Sequence, residues 1–141
     1  MEQEEKQLLL TDLCARLPYG LKICVGGYIC TLLDIDTEMG DKLNGETFHT
    51  VGFNKPDGKY NFCAMAEVKP YLRPMSSMTE EEKKDWYRQS KVDYDCEFKP
   101  EPTLPMEHCH LSVDWLNKKG FDYRGLIPMG LALEAKEWLY N

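Results

Sequence analysis

The sequence predicts an α+β fold: a small curved antiparallel sheet or SH3-like partial barrel, covered by an N-terminal helix and C-terminal helices. Two hairpin signals lie back to back within residues 20–68, with no helical pattern between them. An amphipathic stripe precedes them, and a helix-start signal follows at Thr79. The 141 residues suit one ordinary domain. Its parts are a β-rich unit, 20–68, and a mainly helical cover, 79–141.

Residues 5–16, "EKQLLLTDLCAR", read as a helix. Leu9, Leu13 and Leu17 form one stripe, which Leu10 and Cys14 widen. Glu2, Glu4 and Glu5 suit the positive end of the helix dipole, and Arg16 suits the other. Pro18 stops the helix and Gly20 lets the backbone turn. "LKICVGGYICTLLDI" then places two apolar, β-branched runs around Gly26-Gly27. A two-residue turn needs positive φ, which glycine adopts freely. The predicted pairs are Val25 with Tyr28, Cys24 with Ile29 and Ile23 with Cys30. Residues 36–46 read as a polar loop. A second hairpin follows, with "TFHTVGFN" and "KYNFCAMA" flanking the turn "KPDG".

Pro70 and Pro74 cannot donate to a ladder, so this strand should end near Val68. Thr79 and Glu82 stand as N-cap and N3 of a capping box, opening a helix over Glu80–Ser90 with Trp86 as its anchor. The stretch between reads as a joint between two halves of the fold. Ser76 and Ser77 have no base nearby in sequence. Val92 to Phe98 alternates as a short extended piece, and Pro100, Pro102 and Pro105 stiffen the connector after it. "MEHCHLSVDWLNKKG" is a helix with Lys118 and Lys119 at its C-terminal end and Gly120 just past it. Asp122 can cap a further turn over Tyr123–Ile127. "LALEA", residues 131–135, alternates as a final strand.

Composition narrows the function. Apolar residues make up 43% and charged residues 29% of the chain, with net charge −7. Residues 1–75 carry 8 basic against 11 acidic side chains, and residues 76–141 carry 9 against 13. Neither half supplies the clustered Lys and Arg that phosphate backbones need. Nucleic acid is therefore disfavoured, although Lys22, Lys55, Lys59 and Lys69 would be the stripe to test on a small barrel. The acidic start lacks the basic end and apolar core of a signal peptide, and no apolar run reaches membrane-spanning length. A cytoplasmic protein with free, mostly buried thiols is expected, since the six cysteines include no CxxC pair.

No nucleotide-binding or nucleophile-elbow glycine motif is present. Glu107, His110 and Asp114 share one helical face, with His49 and Cys63 as distant contributors, but tight metal-ligand spacing is lacking. No metal or cofactor is expected. The paired carboxylates Asp34/Asp36 and Asp93/Asp95 read as solvated charges. Arg124, near the start of a short turn, can hold an anion with free backbone N–H groups, or pair with Glu134 or another acid. Tyr123, Arg124, His108 and His110 are the candidate ligand-binding residues.

"LCARLPYGLK" (13–22), "VKPYLRPMSSMTEEE" (68–82) and "FDYRGLIPMGLALEA" (121–135) resemble uncharacterised small proteins of gut bacteria and their phages or prophages. The resemblance spans nearly the whole chain in order. It implies a mobile-element or host-adaptation setting and no mechanism. The expectation is a non-catalytic binding or accessory protein with a protein partner. The alternatives are a small-molecule or nucleotide binder or enzyme using the four candidate residues, and nucleic-acid binding by the barrel.

Overall fold

A computed structural model of the chain describes residues 2–39, 47–91 and 110–140. The first element is helix α1 (Gln3–Arg16), followed by a short 3-10 turn, Leu17–Tyr19. Strands β1 (Lys22–Val25), β2 (Tyr28–Met39), β3 (Thr47–Asn54), β4 (Tyr60–Ala64) and β5 (Val68–Pro74) come next. Helices α2 (Glu80–Lys91) and α3 (His110–Lys119) follow, then two-residue strands β6 (Phe121–Asp122) and β7 (Leu133–Glu134). The fold is α+β. The sheet order is β4-β3-β2-β1-β5-β6, with β7 also on β5. Strands β1 to β5 pair antiparallel, and β6 and β7 add in parallel. The sheet is mixed and does not close into a barrel.

Both hairpins form where the glycines sit. Gly26 and Gly27 take φ of +57° and +84°, and the pairs Val25–Tyr28, Cys24–Ile29 and Ile23–Cys30 match the sequence register. The turn between β3 and β4 closes through Lys55 N–H to the Lys59 carbonyl at 2.9 Å. Strand β2 runs further than expected, to Met39, because β3 offers partners as far as Thr47.

The sequence expectation of a strand ending near Val68 is corrected: β5 carries both prolines. Its first half pairs antiparallel with β1, up to Pro70 opposite Ile23. Its second half pairs in parallel, Tyr71–Leu72 with β7 and Arg73–Pro74 with β6. Each proline stands at the last rung of a ladder, where a missing N–H costs little.

The core has two centres. Leu9 and Leu13 of α1 meet Ile23, Leu32, Val51, Phe53 and Leu72 on the inner face of the sheet. Trp86 of α2, Trp115 and Leu116 of α3, and Phe121 form the other. The capping box is made in both directions, Thr79 N–H to Glu82 and Glu82 N–H to Thr79, each at 3.1 Å. Arg73 donates two 2.7 Å bonds to Glu82 and lies over the Phe121 ring. Ser76 and Ser77 are exposed, and Ser77 donates to the Pro74 carbonyl. Arg73, Ser77, Thr79 and Glu82 are thus occupied in joining β5 to α2. The expectation of mostly buried thiols is corrected: of the four described, only Cys30 is buried, Cys24 and Cys63 are half-buried, and Cys14 is exposed, off the α1 stripe it was expected to widen. The extended piece predicted over Val92 to Phe98, the proline connector after it and the first residues, 106–109, of the next predicted helix lie outside the described residues. Among the described residues, no helix is long and apolar enough to cross a membrane.

Candidate functional site

Of the four candidate residues, the structure brings two together. Arg124 donates from Nη1 to Asp12 Oδ1 at 2.8 Å and lies over the Tyr123 ring, 4.5 Å from its centroid. The Tyr123 hydroxyl donates to Asn117 Oδ1 at 2.8 Å. Burial raises the Tyr123 phenol above its ordinary pKa, against the opposing pull of Arg124 and Arg16. His108 lies outside the described residues, and His110 opens α3. Two of the backbone N–H groups that might have joined Arg124 on an external anion are already taken. Asp122 accepts from Leu126 and Ile127 N–H at 2.8 and 2.9 Å, so the chain supplies its own carboxylate to that turn.

Asp12 is the centre that sequence reasoning missed. It is buried and pairs with Arg16, also buried, at 2.9 Å. A signal existed: residues 9, 12, 13 and 16 share one helical face, so the Asp–Arg pair rides the Leu9–Leu13 stripe. Reading Arg16 as a partner of the helix dipole overlooked that phase.

The outer face of the sheet, turned away from α1, carries several exposed aromatic side chains. Lys55 and Lys59 pair through the backbone, so the ladder phase makes Phe53–Asn61 and Val51–Cys63 the hydrogen-bonded pairs. Inner positions belong to Val51, Phe53 and Cys63, which pack on the core. Alternation then sends Phe48, Thr50, Gly52, Tyr60 and Phe62 outward. Phe62 is 66% exposed, Tyr60 54% and Phe48 45%.

Gly52 makes the geometry possible. The Tyr60 hydroxyl reaches across it to Asp34, with Oδ2 at 3.1 Å, and a Cβ on Gly52 would collide with both groups. A register shift between Leu32 and Asp34 lets Leu33 emerge half-exposed beside them. The Tyr60 phenol is raised above its ordinary pKa, by local desolvation and then by its bond to Asp34. Strand β4 is an edge, and the outward Phe62 N–H is taken by Asn61 Oδ1 at 2.8 Å. This blunts strand addition at the edge and leaves the face.

The remaining candidates are less organised. A groove of about 380 Å³ lies between α2 and α3, with Tyr19, Asp85, Asp114, Trp115 and Lys119 in its lining. Trp115 Nε1 already donates to Asp85 at 2.8 Å. His49 Nδ1 is hydrogen-bonded to Thr37 Oγ1 at 2.8 Å. Among the described residues, no group of three or more His, Cys, Asp or Glu could hold a metal ion. Of the lysines in the hypothetical basic stripe, Lys22 donates to Thr31. Lys69 stands opposite Cys24, while Lys55 and Lys59 flank Asp57 in the turn.

Comparison with protein-family models, curated proteins and solved structures returns no match for this chain.

Proposed function

We propose that the chain is a non-catalytic binding or accessory protein whose working surface is the outer face of β2, β3 and β4. The partner is a protein that lays a basic segment on this face. One observation carries the reading: three aromatic side chains, Phe48, Tyr60 and Phe62, stand exposed on one side of the sheet, beside Asp34 and Asp36. Contiguous exposed apolar surface with a polar rim is characteristic of interaction sites. Aromatic faces next to carboxylates favour lysine or arginine, through cation–π attraction and ion pairing together. The net charge of −7 steers the same kind of partner. A cytoplasmic, phage or prophage setting belongs to the proposal, from the resemblance and the composition.

A photo-crosslinking residue at position 62, and as a control at the exposed Lys84 of α2, tests this in the cells of origin. Position 62 should capture one basic protein that position 84 does not, and the yield should fall as salt rises. Equal capture from both positions, or none from 62, rejects the reading.

A further inference from the structure

The outer face carries one aromatic–carboxylate diagonal twice. In the first, Tyr60 of β4 reaches across Gly52 of β3 to Asp34 of β2. The second lies two residues along. Phe62 of β4 stands opposite Gly52, Asp36 of β2 stands opposite Thr50, and Thr50 lies between them. The copies differ in two ways. Phe62 has no hydroxyl to donate, and Thr50 carries a side chain where Gly52 has none. A ring at 62 therefore cannot lie over Thr50 as Tyr60 lies over Gly52, where a Cβ would collide with the Tyr60 hydroxyl. Phe62 is accordingly the more exposed of the two, 66% against 54%.

The carboxylates differ in the same sense. Asp34 accepts from Tyr60. Asp36 is exposed, and among the described residues it makes no hydrogen bond or ion pair. Ala64, opposite Thr50, is small and exposed, so low ground runs from Asp36 across Thr50 to the open edge at β4. Phe62 borders it on one side and Phe48 on the other. Strands β2 and β4 lie two strand spacings apart, about 10 Å, which leaves room for one long side chain between ring and carboxylate.

We propose that this second diagonal anchors an arginine side chain of the partner, with its guanidinium forked on Asp36 and stacked on Phe62. The inference rests on the reading of this face as the partner surface, and adds the residue that selects the partner and the side chain it takes. Both Asp36 oxygens are unspent, and a guanidinium fork matches a carboxylate with two parallel hydrogen bonds. Its plane also stacks on an aromatic face, which a lysine ammonium cannot do. An ammonium is more strongly hydrated, so at an exposed site it gives up more to make the same contact.

Nuclear magnetic resonance titration of the full chain with the capped tripeptide acetyl-Gly-Arg-Gly-amide, and with its lysine and citrulline counterparts, tests this. The arginine peptide should shift the Thr50 and Ala64 amide signals saturably. The lysine peptide should bind about threefold more weakly, and citrulline, which has nearly the same shape without the charge, should shift nothing. Asp36→Asn should weaken the arginine peptide about fivefold. Glu81→Gln, which removes the same charge from the exposed first turn of α2, should leave it unchanged. Equal affinity for arginine and lysine, or no loss in Asp36→Asn, overturns the anchor. If Asp36→Asn does not fold, the ratio of arginine to lysine affinity in the wild type decides. The crosslink from position 62 separates the two readings. Capture that persists undiminished in Asp36→Asn keeps the face as the partner surface and removes the anchor, whereas no capture from 62 rejects both.

Discussion

The sheet side and the tryptophan side of the molecule bury their apolar groups by different means. Between α1 and the sheet, Leu9, Leu13, Leu32, Val51 and Leu72 pack with no polar atom to satisfy. Between α2 and α3, each indole brings an N–H that needs a partner. Trp86 Nε1 donates to Ser112 Oγ at 2.7 Å, and Trp115 Nε1 to Asp85 Oδ2. Trp115 also stacks on Trp86 and Phe121, with centroids 6.1 and 5.7 Å apart. The aliphatic side tolerates small shifts, because dispersion has no direction. The aromatic side fixes a geometry, because hydrogen bonds and ring stacking do. The two sides are joined by charge: Asp12, Arg16 and Arg124 at one seam, Arg73 and Glu82 at the other.

Breaking the first seam should have the largest effect. Asp12→Ala leaves Arg16 buried without a counter-ion and frees Arg124, a loss of about 3–5 kcal/mol. Urea unfolding followed by near-ultraviolet and far-ultraviolet circular dichroism should show both sides lost together at lower denaturant. If only the tryptophan signal moves, the seam does not join the two sides. Gly52→Ala acts on the sheet side alone. The added methyl displaces Tyr60 from Asp34 and costs roughly 1–3 kcal/mol. The near-ultraviolet tryptophan bands should stay as in the wild type; their loss would mean that the sides are more tightly coupled than their packing suggests.

The smallest effect belongs to the second seam and is visible only against pH. The bonds from Arg73 hold the Glu82 carboxyl below its ordinary pKa, opposed by burial and helped by Thr79. A carboxyl depressed in the folded state stabilises above its unfolded pKa, about 4.3, and loses that contribution as pH falls through the lower folded value. Glu82→Gln should therefore be less stable than wild type at neutral pH, by about 1 kcal/mol. The difference should close as both are titrated below about pH 4. A gap that is the same at neutral and acid pH would show that the ion pair contributes nothing.

Local chemistry was legible from residues close in sequence. Gly26-Gly27 fixed the first hairpin and its register, Thr79 and Glu82 the start of α2, and Gly120, with φ of +81°, the end of α3. Pro70 and Pro74 misled, because a proline reports a missing donor without saying whether a partner strand asks for one there. The candidate face was hidden in "YNF". Tyr60 and Phe62 look like core residues by type, and the alternation alone leaves either side free to turn inward. Of the sequence candidates Tyr123 and Arg124, the chain itself supplied the partners, Asn117 and Asp12.

By itself the sequence determined the α+β class, the two hairpins and the helix ends, since each depends on φ preferences, capping atoms and periodicity within a few residues. Tertiary structure alone decided the parallel additions to β5, the sharing of Asp12 by two arginines and the exposure of Phe62. These depend on which distant groups arrive, Phe121 and Leu133 beside β5 and Leu9 and Leu13 of α1 on the sheet face that carries Val51 and Phe53. No local pattern specifies which of two available sides those partners will cover.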